Sequence, residues 1–92
     1  GGIDDSAVPV LPRGVRLRYC SVREGWFLLA PERAMKLDVT AGEVLRALDG
    51  ERDFAGVVAH LADRFEAPPE RIATDARAFL TSLAAKRMLE IR

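Results

Sequence analysis

Residues 30–50 read APERAMKLDVTAGEVLRALDG, and their pattern decides the fold. Pro31-Glu32 is a turn. Ala34 to Asp38 alternates, with Met35 and Leu37 on one face and Ala34, Lys36 and Asp38 on the other, which predicts a short strand. Thr40 stands three residues before Glu43, a capping box that opens a helix with Val44, Leu45 and Leu48 on its apolar face. Asp49-Gly50 ends that helix, Gly50 supplying the left-handed position after it. A strand passed directly to a capped helix, with no residue of catalytic type between, predicts a domain that holds something rather than converts it.

Upstream, Val15, Leu17 and Tyr19 alternate with Arg16, Arg18 and Cys20, the period of a strand with one buried face. Arg23-Glu24-Gly25 is a turn, and Trp26 to Ala30 is an aromatic-aliphatic strand that pairs with the first. At least one of Trp26 and Phe27 is expected in the core, because successive strand residues face opposite ways. Gly1 to Val10 reads as linker, with two glycines, Asp4, Asp5, Ser6 and Pro9, and Gly1-Gly2 in place of Met reads as an excised domain or tag remnant. It has neither the basic start nor the apolar centre of a signal peptide.

Downstream, Asp53 caps a second helix in which Phe54, Val57, Val58, Leu61, Ala62 and Phe65 recur at helical spacing. Pro68-Pro69-Glu70 opens a third, with Ile72, Ala76, Phe79, Leu80 and Leu83 as its apolar stripe. Met88 to Ile91 is either the frayed end of that helix or a short last strand. The expected fold is α+β, a three-stranded antiparallel sheet followed by a three-helix bundle, in a winged helix-turn-helix layout.

Ninety-two residues make one domain, burying roughly 60–65% of the surface of the unfolded chain. No apolar run approaches the roughly 20 residues of a membrane helix. Fourteen basic residues balance fourteen acidic ones, so the basic excess of a general nucleic-acid binder is missing. Nor is there any Asn or Gln to read adenine. On the third helix Arg71, Arg77, Lys86 and Arg87 face Glu70 and Asp75, a modest surplus for the DNA-reading helix that the layout invites. A winged-helix DNA-binding domain is therefore the second reading, not the first.

Catalytic and metal chemistry find no constellation. His60 is the only histidine and lies beside an apolar stripe without a ligand partner. Ser21 and Ser82 lack a nucleophile motif, and no glycine-rich phosphate loop is present. Neither enzyme activity nor a cofactor nor a metal is expected. The single Cys20 reads as a packed strand residue in a reducing cytosol, so the expected location is cytoplasmic. Peptide capture suits the chain better. The strand at Ala34 to Asp38 is a candidate free edge, with small residues on the third helix as a side wall. Lys36, Arg77 and Lys86 would then steer an acidic peptide, although Lys36 could equally serve to protect a bare edge from aggregation.

The ordered set Pro12-Arg13-x-Val15-Arg16-Leu17-Arg18, Trp26-x-Leu28-Leu29-x-Pro31-Glu32, Lys36-Leu37-Asp38-x-Thr40-Ala41, Leu45 and Leu48-Asp49-Gly50 resembles the PqqD family of pyrroloquinoline quinone biosynthesis. Asp75, Phe79, Leu80 and Leu83 continue the likeness, which spans Leu11 to Arg92. The resemblance implies a peptide chaperone, the prototype of the RiPP precursor recognition element. Such proteins bind the precursor peptide PqqA and present it to the radical SAM enzyme PqqE, and some are fused to PqqC. It implies that the peptide adds as a strand in a groove closed by the third helix. Carried over, the site lies on Arg33, Ala34, Met35, Lys36 and Leu37, and on Asp75, Ala78, Phe79, Ser82, Leu83 and Lys86. The chain departs from the family at Asp38, where Asn is usual, and at Tyr19-Cys20, which replaces polar residues.

Overall fold

A computed structural model describes residues 3–92; the expected tag remnant, Gly1-Gly2, lies outside the described residues. In chain order the elements are β1 (Pro9–Val10), β2 (Arg16–Cys20), β3 (Gly25–Ala30), β4 (Arg33–Leu37), α1 (Val39–Arg46), α2 (Phe54–Phe65), α3 (Pro69–Ala85) and β5 (Glu90–Ile91). β2, β3 and β4 form an antiparallel meander in that spatial order. Leu28 is central, paired with Leu17 on one side and Met35 on the other. These three side chains pack with the helices, so the molecule is the α+β arrangement expected, with a sheet covered on one face. Tyr19 departs from its expected buried face. It is 54% exposed at the sheet's end, its ring edge-on to Trp26 at 5.4 Å.

The N-cap of helix α1 lies two residues before the expected one. Asp38, not Thr40, is the N-cap, its Oδ1 accepting the Ala41 N–H at 2.7 Å. The Asp that departs from the family pattern thus does the work an Asn could do there. Glu43 closes no capping box. It takes Arg46 at 3.1 Å and Arg64 of α2 at 2.6 Å, tying two helices together. Replacing Asp38 with Ala should cost about 1 kcal/mol of stability; chemical denaturation measures this. A loss near zero would mean that the first turn is held by packing alone.

The helix ends at Ala47 in right-handed conformation, and Gly50 takes φ +82° only in the turn beyond it, so the expected Gly50 cap is corrected. Asp49 Oδ1 organises that turn, accepting the N–H groups of Arg52 at 2.7 Å and Glu51 at 2.9 Å. These two bonds hold its carboxyl below the usual carboxylate range. Gly42 allows α1 to close on the sheet, since a Cβ there would lie 3.3 Å from the Trp26 ring.

Residues 3–10 are not the linker that their composition suggests. The first N–H groups of a helix have no intrahelical partner. In α2 the Phe54 N–H goes to Ala7 O at 2.7 Å, Ala55 N–H to Asp5 O at 3.0 Å, and Gly56 N–H to the expected cap Asp53 at 2.8 Å. Ile3 is 6% exposed, within the core. β1 pairs with β5 antiparallel, extended by reciprocal bonds between Val8 and Arg92 at 2.9 and 3.1 Å. The chain's two ends therefore staple each other.

That pairing also decides how the chain leaves α3. Met88 N–H returns to Leu83 O at 2.9 Å and Arg87 N–H to Ala84 O at 3.0 Å, with Arg87 in left-handed conformation. This is a Schellman stop. Met88 and Leu83 are both buried beside it, and the last strand, not a frayed helix, comes next. Among the described residues no helix is long and apolar enough to cross a membrane.

Candidate functional site

The order β2-β3-β4 leaves β4 with one side unpaired. Ala30 and Arg33 flank the two-residue turn Pro31-Glu32 and pair with each other. The closing pair of such a hairpin exchanges its hydrogen bonds, and bonded and non-bonded pairs then alternate along the ladder. Arg33, Met35 and Leu37 therefore spend their backbone groups on β3. Ala34 and Lys36 turn theirs toward the open edge, where an incoming strand would find them.

The two ends of β4 lie near different levels of α3. Arg33, at the start of β4, shares a cleft of about 340 Å³ with Lys86 and Arg87 beyond the end of α3. Asp38, just past β4, shares a second cleft of about 190 Å³ with Asp75 and Phe79 in the body of α3. Val44, Leu61 and Ala76 floor this second cleft and are buried, so it is an apolar recess between all three helices. The two recesses bracket the edge.

The structure thus brings together Arg33 with Lys86, and Asp75 with Phe79, as the spacing requires. Met35 is half-buried against the core, and Ala78 and Ser82 are exposed on α3. The Ser82 hydroxyl donates to Phe79 O at 2.7 Å. Four expected residues do not present side chains to the groove: Ala34 faces the outer side of the sheet beside Phe27 and Leu29, and three more are turned away. Leu83 is 0% exposed and Leu37 5%, both in the core. Lys36 lies on the other face of the sheet, across Gly25, where a Cβ would sit 3.5 Å from its Cε. What Lys36 offers the edge is backbone.

Arg77, expected to steer peptide, is occupied elsewhere. Its Nε donates to Ile3 O at 2.9 Å, it meets Asp5 at 3.1 Å, and it lies 4.7 Å over the Phe54 ring. The groove is consequently not uniformly basic. Arg13, Arg33, Lys86 and Arg87 outnumber Glu32 at the hairpin end, while Asp38 and Asp75 mark the other. The residues missed by sequence reasoning are Thr40, Ala41, Phe65 and Ile72, which line the apolar recess. Phe65 is 41% exposed there, although its helical spacing reads as core. Its place on the last turn of α2, before the left-handed Glu66, is the signal that could have found it.

A family model described as coenzyme PQQ synthesis protein D (PqqD) matches residues 25–89. A PqqA binding protein of Rhizobium meliloti (strain 1021) is 49% identical over 89 residues, covering 97% of this chain and 91% of that one. The bifunctional coenzyme PQQ synthesis protein C/D of Methylorubrum extorquens is 45% identical over 85 residues, 92% of this chain but 23% of that protein. Among solved structures, the PqqD truncation of Methylobacterium extorquens PqqCD, a stand-alone RiPP recognition element, superposes with a TM-score of 0.84 at 43% identity. The match covers 96% of this chain and 94% of that one. PqqD from Xanthomonas campestris gives 0.60 at 40% identity, over 88% and 90%.

Proposed function

Because this chain belongs to the PqqD family, we propose that it is a non-catalytic adaptor that binds the precursor peptide PqqA and presents it to the radical SAM enzyme PqqE in the cytoplasm. The observation that carries this reading is the free edge of β4, facing α3 and bracketed by two recesses. An extended peptide adds to β4 through the outward groups of Ala34 and Lys36. One of its apolar side chains fills the recess at Phe79, and acidic side chains meet Arg33 and Lys86 at the hairpin end. The relatives named PqqA binding protein and the RiPP recognition element neighbour support the ligand.

Duplex DNA is the weaker reading. The basic residue at the centre of α3, Arg77, is engaged with the amino-terminal segment, and the domain carries no net charge to attract phosphates. Titrating isotope-labelled protein with PqqA peptide and following amide shifts tests the proposal. Residues 33–37 and the exposed face of α3 should respond, with residues 54–58 nearly silent. Response confined to another surface would overturn the site, and tight, salt-sensitive binding of a short duplex in its place would overturn the function.

A further inference from the structure

The face of the sheet turned away from the helices has a chemistry that peptide capture does not use. Strand alternation places Arg16 and Arg18 of β2, Phe27 and Leu29 of β3, and Ala34 and Lys36 of β4 on it. Phe27, Leu29, Ala34 and Cys20 line an apolar depression of about 220 Å³, walled by Arg18 and Arg23. The Arg23 guanidinium lies 5.6 Å from the centre of the Phe27 ring. The solvated face of an antiparallel sheet is ordinarily polar; here its centre is aromatic and aliphatic, with Phe27 only 8% exposed beneath the arginines and Leu29 half-buried at the floor of the depression.

Charge sets this face apart as well. The chain is neutral overall, yet every charged side chain at an outward strand position is basic. Among the described residues Arg16, Arg18, Arg23 and Lys36 enter no salt bridge; in the helical half Arg46, Arg52, Arg64 and Arg77 each have one, while Arg71, Lys86 and Arg87 have none. Three of the four are arginines, which pair with carboxylates in fixed two-pronged geometry and are enriched with aromatics at protein interfaces. We infer that this outer face is a second docking surface, for a folded protein partner that presents carboxylates around an exposed apolar side chain. A polyphosphate would neutralise the arginines but leave the apolar centre unmatched, which favours protein over nucleic acid.

The surface rests on the reading of the groove as a peptide holder. A protein that holds a substrate without transforming it must meet the enzyme that does, and it must do so without vacating the groove. The groove opens between the β4 edge and α3, while this face lies on the opposite side of the sheet, so both can be filled at once. The partner is then the enzyme that modifies the held peptide, and its contacting patch is acidic.

The test uses the full chain and the double variant Arg16→Glu/Arg18→Glu, both positions lying on β2, away from the groove. Titration calorimetry measures binding of PqqA peptide, and of PqqE at low and moderate salt. Peptide affinity should stay within about twofold, which also certifies the fold, while affinity for the enzyme should fall about tenfold or more and lose most of its salt dependence. An unchanged affinity for PqqE would overturn the surface and leave presentation standing. Wild-type protein that binds peptide but not PqqE would overturn presentation and the surface with it. Binding of a short duplex by wild type, lost in the variant, would assign the face to nucleic acid.

Discussion

Phe54→Ala should remove about 3–5 kcal/mol of folding stability, out of roughly 5–14 kcal/mol for a domain of this length. Phe54 is 0% exposed. Its ring is the meeting point of three parts of the chain. It sits on the first turn of α2, its backbone N–H is bound to Ala7 O at 2.7 Å, and Arg77 of α3 lies 4.7 Å over its face while holding Ile3 O. Truncation leaves a cavity and also frees the guanidinium that clamps the amino-terminal segment. Urea unfolding measures the loss, and a midpoint shift with the slope unchanged would assign it to stability rather than to a looser denatured state. Phe54→Leu, which keeps most of the volume, should cost under about 1.5 kcal/mol. If Phe54→Ala also lost less than that, the segment at residues 3–10 would not depend on this ring, and the account of how it is anchored would be wrong.

That segment was the part of the fold least legible in the sequence. Local composition can report a strand or a helix because the relevant neighbours are two to four residues away. It cannot report that Pro9 and Val10 pair with Ile91 and Glu90, or that Ala7 and Asp5 satisfy the first N–H groups of α2. Glycine and aspartate then read as solvated chain. The meander and the three helices were legible, since period-two and period-3.6 patterns describe them directly. The cap of α1 was missed by two residues because Asp38 and Thr40 are both good caps. The end of β4, set by pairing with β3 to Leu37, chose between them.

The candidate groove was legible in the sequence by element and not by side-chain direction. Helical spacing already contains the correction for Leu83, which shares the buried stripe with Ala76 and Leu80, whereas Asp75, Ala78, Phe79, Ser82 and Lys86 follow the neighbouring exposed face. Strand parity likewise separates Lys36 from Met35. The engagement of Arg77 by Ile3 O had no local signal, because its partner lies at the other end of the chain.

Ala34→Pro should weaken PqqA binding about tenfold or more with the domain still folded, and Met35→Pro should instead unfold the hairpin. The two substitutions differ by one residue and by opposite backbone directions. Counting from the Ala30–Arg33 closing pair, the N–H of Met35 is bonded within the sheet to Leu28, and that of Ala34 points to the open edge. Proline is tolerated on an edge strand where its missing N–H faces solvent, and the preceding Arg33 is already extended, as a residue before proline prefers to be. For an incoming strand the same proline removes a donor and places its ring in the approach. A lost hydrogen bond alone accounts for about 0.5–1.5 kcal/mol, or up to about tenfold in affinity, and the steric block adds to it. Lys36→Ala, which keeps the backbone and removes only a side chain on the far face, should change peptide affinity by less than about threefold. Calorimetry on the three variants separates the cases. A folded Ala34→Pro variant with wild-type affinity would exclude strand addition at β4, and a large loss in Lys36→Ala would return the recognition to the side chain.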